Sequence, residues 1–215
     1  MYTPKHFSAP SSESLQALVS RYPLAQLVTS DASGLWCCNP IPLYAPSGLE
    51  VGSRLVGHVA KANPLWQHHS SVLAIFTGPQ TYITPNAYPS KLEHHKVVPT
   101  YNYATVQVRG ELIAYTDAPR KLQVVSILTD HFEQSQPKPW AVNDAPADFV
   151  QTNLDAIVAI EILIQSVEGK FKWSQNRSQA DQAGVAQYLT ENDQAHDHLF
   201  MCQLMQADTD RTKPK

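Results

Sequence analysis

Apolar residues recur along this chain at two periods, and the changes between them mark out its elements. Over residues 12–20, Leu15, Leu18 and Val19 share one helical face behind a serine-rich start that can cap it, and Pro23 ends the helix. Beyond Ala25, short apolar stretches at 26–30, 35–44, 54–60 and 72–77 are separated by Gly and Pro, the texture of an antiparallel meander. Residues 103–112 form the clearest strand: Ala104, Val106, Val108, Gly110 and Leu112 alternate with Tyr103, Thr105, Gln107, Arg109 and Glu111. In residues 156–165 both faces are apolar, Val158, Ile160, Ile162 and Ile164 on one and Ile157, Ala159, Glu161 and Leu163 on the other. That pattern predicts a strand covered on both sides.

Between and after these strands the period is helical. Asp117 and Pro119 start a helix to about residue 134, with Leu122, Val125, Leu128, Thr129 and Phe132 as its expected inner stripe. Asp144 and Pro146 repeat that start signal for a shorter helix, and Ser178 with Asp181 matches a capping box that opens a third, to about Leu189. Residues 191–215 read as a polar, His-rich tail. No internal repeat is visible. Six or more antiparallel strands with interpolated helices make a mainly β, α+β chain: one barrel domain over residues 1–190, with peripheral helices.

Composition narrows the function classes. Sixteen Lys and Arg against 19 Asp and Glu give a formal charge of −3. With no helix-turn-helix pattern, direct binding to nucleic acid is weakly supported. Cys37 and Cys38 are expected as two small buried residues on opposite faces of a strand. The first residues lack an apolar signal core, and no apolar run approaches the ~20 residues that span a bilayer. A cytoplasmic protein without membrane contact is expected.

GxSxG, HExxH, GxxxxGK[ST] and GxGxxG are all absent, so no catalytic residue is assigned. The adjacent pairs His68-His69 and His94-His95 diverge, and His196 and His198 fall in the tail, so no metal site is expected. Four segments are richer in amides, hydroxyls, rings and lysines than turns require: 57–66, 81–91, 98–103 and 168–177. The first ends a strand and is expected to open a helix whose N-terminus, beside His58 and Lys61, suits an anion. A flat, phosphorylated, hydrogen-bonding cofactor asks for such a set.

These segments carry a resemblance to the PaiB family, the FMN-binding negative transcriptional regulators of bacteria. The opening MYTPKHF, Asn39-Pro40-Ile41-Pro42-Leu43, GHVAKANP at 57–64, FTGPQTYITP at 76–85, Tyr88-Pro89-Ser90-Lys91, VPTYNY at 98–103 and Lys172-Trp173-Ser174-Gln175-Asn176 occur in the family's order over nearly all of residues 1–190. The resemblance implies an FMN-binding split β-barrel, a homodimer with FMN at the subunit interface. It places His58, Lys61 and Asn63 near the phosphate and ribityl chain, and Thr84, Tyr101 and Asn102 along the flavin. Lys172, Ser174, Gln175 and Asn176 close the site, and Lys91 and Thr100 complete the cofactor-binding set. Three positions depart from the family: Ala87 and Tyr101 stand where it usually has Trp, and Trp173 where it usually has Leu. The function implied is a regulatory or redox-sensing flavoprotein acting in transcriptional repression, directly or indirectly. Three alternatives stay open: a flavin-dependent oxidoreductase using NAD(P)H on a small molecule, a haem-binding split barrel with His58 or the late histidines as iron ligands, and a cofactor-free dimeric scaffold.

Overall fold

A computed structural model describes residues 1–31, 33–67 and 71–192. Among these residues five α-helices and six strands follow one another as α1 (Ser12–Arg21), β1 (Leu24–Ser30), β2 (Trp36–Pro42), β3 (Arg54–Ala60), β4 (Ser71–Ile83), α2 (Lys91–His94), β5 (Thr100–Tyr115), α3 (Ala118–Glu133), α4 (Ala147–Asp155), β6 (Ile157–Lys172) and α5 (Gln179–Glu191). The strands form one antiparallel sheet in the order β2-β1-β4-β5-β6-β3, the α+β split-barrel class expected from the sequence. The chain divides into two compact units. One holds Met1–Leu18, Thr77–Val106 and the residues from Glu168 onward; the other holds Val19–Phe76 and Gln107–Val167.

In the second unit β3 and β6 pair antiparallel with Leu55 opposite Ile162 and Val59 opposite Val158, all four buried. The two-sided apolar pattern of β6 is borne out: residues 158–162 are buried on both faces, and Ala159 packs with Val124 and Leu128 of α3. Gly110 on β5 is required there, because a Cβ at this position would overlap the backbone of Leu163. Helix α3 covers this sheet through Val124 and Leu128, which pack with Val56 and Ala159. Burying each such side chain contributes about 1.5–3 kcal/mol. In the first unit the core is Leu18, Ile83, Tyr88, Phe171, Trp173, Val185 and Leu189.

The alternation of residues 103–112 is borne out in full, Asn102 joining Ala104, Val106, Val108, Gly110 and Leu112 on the buried side. Several expectations are corrected. The inner stripe of α3 is Lys121, Val124 and Leu128, while Leu122 and Phe132 are exposed. The stripe rotates because Lys121 buries its stem and donates its ammonium to Leu154 O at 2.6 Å. The strand read over 72–77 extends to Ile83, through Gly78 and Pro79. Asp144 does not cap α4, whose N-cap is Pro146; its carboxylate accepts instead from Ala141 N at 2.9 Å. Ser178 caps α5 as expected, but Asp181 completes no box. Its carboxylate accepts from Ser90 N at 3.0 Å and Ser90 Oγ at 2.9 Å. That helix continues to Glu191, inside the stretch expected as tail; residues 193–215, with His196 and His198, lie outside the described residues, as do His68 and His69. Cys37 and Cys38 are exposed, not buried, because β2 is the terminal strand of the sheet.

Candidate functional site

In the first unit the start of β5 and the end of β6 carry a connected polar group. Lys172 Nζ donates to Thr100 Oγ1 at 2.7 Å and to Tyr101 O at 2.5 Å. One residue further along β5, Asn102 is fully buried and exchanges hydrogen bonds with the Ser174 hydroxyl, at 3.2 Å from Asn102 Nδ2 and 3.3 Å to Oδ1. Ser174 holds φ +69°, a left-handed conformation costly for a residue with a Cβ, while it makes this bond. Gln175 turns back on its own strand, accepting from Trp173 N at 2.9 Å and donating to Phe171 O at 2.5 Å. Asn176 is exposed. Tyr101, also exposed, meets the Tyr82 ring edge-on at 5.8 Å.

The electrostatics of this group favour an anion. Burial lowers the Lys172 pKa first, and the charges of Lys170 and Arg177 lower it further. No carboxylate among the described residues pairs with Lys172. Lys170 instead lies over the rings of Tyr103 and Tyr2, and Arg177 over the ring of Tyr88. Three cations without a counter-charge among the described residues, next to neutral amide and hydroxyl donors and an exposed aromatic ring, fit the phosphate and ring of FMN.

The turn after β4 belongs to the same unit. Thr84 accepts from Asn86 N at 3.3 Å and caps the 3-10 turn Pro85–Ala87, and Lys91 Nζ donates to Asn86 Oδ1 at 2.5 Å. Asn86, Ala87 and Lys91, with Gly184, Gln187 and Tyr188 of α5, line a cavity of ≈390 Å³. Tyr88 is 1% exposed there, and its hydroxyl has no hydrogen-bond partner among the described residues. Gly184 on α5 permits the close approach, since a Cβ would stand 2.5 Å from Ala87 O and 2.6 Å from Pro89 Cδ. The small residue at 87, where the family usually has Trp, therefore fills a buried position against that helix.

In the second unit, Asn63 Nδ2 donates to Asn39 Oδ1 at 3.2 Å, and Asn63 Oδ1 accepts from Leu65 N at 3.1 Å. Both asparagines line a cavity of ≈370 Å³ with Thr29, Cys37 and Cys38. The expected anion-binding helix is a single 3-10 turn, Pro64–Gln67, and Asn63 already accepts from one of its N–H groups. Lys61 is exposed. His58 lines a different cavity, ≈330 Å³ and mostly apolar, with Trp140, Phe149 and Val150; burial pushes its imidazole pKa down.

The structure thus brings Thr100, Tyr101 and Lys172 together, joins Asn102 to Ser174, and holds Thr84 and Lys91 on either side of Asn86. It gives His58 and Asn63 separate cavities. Sequence reasoning omitted Asn39, Lys170, Arg177 and the Ser90–Asp181 anchor from the site set. Asn39 sits in one of the family motifs and was findable; the Ser90–Asp181 bond joins residues 91 apart, which no local pattern predicts.

Comparisons with known proteins bear on the family and the fold. A protein from Emericella nidulans is 32% identical, covering 80% of this chain and 83% of its own. The protease synthase and sporulation protein PAI 2 of Bacillus subtilis is 25% identical across 96% of this chain and 97% of its own. The solved FAD and heme binding protein from Mycobacterium smegmatis shares the fold with TM-score 0.57 at 18% identity, covering 77% of this chain and 73% of that one. Flavocytochrome Anf3 from Azotobacter vinelandii has TM-score 0.55 at 13% identity, covering 80% and 72%. A family model described as "Putative FMN-binding domain" matches residues 1–166. The chain belongs to this FMN-binding domain family, that of the PaiB proteins, and FMN is the cofactor the membership assigns to it.

Proposed function

We propose that this flavoprotein is regulatory, sensing redox state through bound FMN and influencing transcription as a cytoplasmic homodimer. The observation that carries the cofactor half of the reading is the uncompensated cation group of Lys172, Lys170 and Arg177 beside the buried Asn102–Ser174 pair. Lys172 would hold the phosphate, Asn102 and Ser174 would fix the backbone around the ring, and Tyr101 would stack or cap it. FMN, when bound, supplies reversible one- and two-electron transfer. Residues 1–190 act in this reading as one cofactor-binding domain, with His58, Lys61, Asn63 and Thr84 completing the set between subunits and 191–215 as its tail. The regulatory half is supported by the similarity to PAI 2 over nearly the whole chain. The formal charge of −3 favours an indirect effect over direct DNA binding. Among the described residues no helix is long and apolar enough to cross a membrane.

The test is an absorbance spectrum of freshly purified protein followed by titration with FMN. A flavin spectrum, or saturable binding at micromolar FMN, supports the reading; neither overturns it. Sedimentation velocity tests the dimer, which a monomer at micromolar concentration excludes. Slow or absent NAD(P)H oxidation by the loaded protein separates a sensor from an oxidoreductase. A second reading, haem binding, is favoured by one feature: His58, its pKa lowered, lines an apolar cavity beside Trp140 and Phe149. A Soret band on haemin titration, lost in His58→Ala, would support it.

A further inference from the structure

Glu161 sits on β6 in the second unit, 2% exposed, and two arginines converge on it. Arg54 Nη1 donates to Oε2 at 2.6 Å, Arg120 Nη2 donates to Oε1, and the Tyr115 hydroxyl donates to Oε2 at 3.2 Å. Both carboxylate oxygens are engaged, yet two guanidiniums face one carboxylate and one positive charge remains in excess. Arg120 is held further by Gln123 Oε1 at 2.6 Å from Nη1 and by the ring of Tyr115, 4.9 Å beneath its guanidinium. Its Nε is nevertheless buried without an acceptor among the described residues.

A buried donor left unmade is costly, and one arginine would neutralise Glu161. The second guanidinium needs another acceptor for its remaining N–H groups. Arg54, Arg120, Glu161 and Gln123 line one cavity of ≈500 Å³ with Ser47 and Glu50, large enough for a small metabolite. Glu50 is the other carboxylate on that wall; it is exposed, and solvent screens its charge. Two guanidiniums whose orientation is fixed by a buried carboxylate form a preorganised fork for a tetrahedral oxyanion.

We propose that this cavity is a second, effector-type site that binds a phosphate group, free or carried by a small metabolite, between Arg54 and Arg120, with Glu161 orienting both. None of its residues belongs to the cofactor set, so it stands apart from the FMN reading.

The full chain is titrated calorimetrically with inorganic phosphate at constant ionic strength, with and without saturating FMN, and then with glycerol phosphate. One saturable site that persists beside saturating FMN and weakens about tenfold or more in Arg54→Gln is expected. Equal binding of both probes assigns the free ion, and tighter binding of the ester assigns a metabolite. Arg54→Gln leaves Glu161 paired with Arg120, so the variant should fold; Arg120→Lys is the second variant, keeping the charge and losing the fork. No saturable phosphate binding, binding displaced by FMN, or binding that survives both substitutions overturns the proposal. Failure of FMN itself to bind leaves these outcomes unaffected.

Discussion

The ammonium of Lys172 is tied to Thr100 by a 2.7 Å hydrogen bond that joins the end of β6 to the start of β5. With Tyr101 O as its second acceptor, it has used two of its three donors on residues of the expected cofactor set. Its position is therefore set before any ligand arrives, while its charge stays uncompensated. Such preorganisation costs little on binding, because the long side chain is already ordered.

Lys172→Ala is expected to weaken FMN binding by about 1.5–3 kcal/mol, the scale of a charge-assisted hydrogen bond. Flavin fluorescence quenching on titration measures it. Lys61→Ala, at an exposed side chain, is the matched comparison: an equal loss would place both lysines on the phosphate, and an unchanged affinity would remove Lys61 from the site. Unchanged affinity in Lys172→Ala would remove the proposed anion group.

The same lysine predicts a pH dependence. Its pKa is lowered from 10.5 by burial and by Lys170 and Arg177, so the folded protein binds fewer protons than the unfolded chain between the lowered value and 10.5. Stability attributable to this group accordingly rises with pH across that window. A bound phosphate reverses the balance by favouring the ammonium, so FMN binding should take up a proton there. Affinity should then fall as pH climbs through the window. Calorimetry in buffers of different ionisation enthalpy reads the proton uptake, and Lys172→Met should abolish it.

What the sequence revealed depended on whether one local rule decided the outcome. The alternation of β5 was legible because one face is buried from Asn102 to Leu112, and a period of two has one solution there. Asp117 and Ser178 were legible as caps because the bond to each is three residues long in sequence. The stripe of α3 was misplaced where Lys121, polar by composition, buries its stem to reach Leu154 O. Cys37 and Cys38 were misjudged because exposure followed from the strand's place at the end of the sheet, which no local pattern encodes. In the candidate site the residue types were legible as family motifs, but the pairings were not. Thr100 with Lys172 and Asn102 with Ser174 each span 72 residues.

Ser174 offers a sharper test of that second pairing. Its hydroxyl is the partner that satisfies buried Asn102, while its backbone carries φ +69°. Ser174→Ala keeps the strain and leaves the Asn102 amide without this partner, for an expected loss of about 1–3 kcal/mol. Ser174→Gly loses the same bond but relieves about 1 kcal/mol of left-handed strain, so it should be the milder substitution. Denaturant midpoints at constant slope compare the two. Equal losses would mean that the backbone conformation carries no strain worth relieving.

Glu161 should be more sensitive to substitution than either arginine that pairs with it. It accepts from Arg54, Arg120 and Tyr115 at once, so replacing it strands two cations and a hydroxyl together, whereas replacing either arginine leaves the carboxylate paired with the other. Removing one partner of a buried ion pair costs about 3–5 kcal/mol. Arg54 is 42% exposed and Arg120 32%, so water recovers part of the loss and the lower end applies to Glu161→Gln. Arg54→Gln should cost well under half as much. Chemical denaturation of both variants checks the order, and equal destabilisation would show that Arg54 alone neutralises the carboxylate. In that case Arg120 would contribute nothing to holding Glu161, and the fork built on it would lose its anchor.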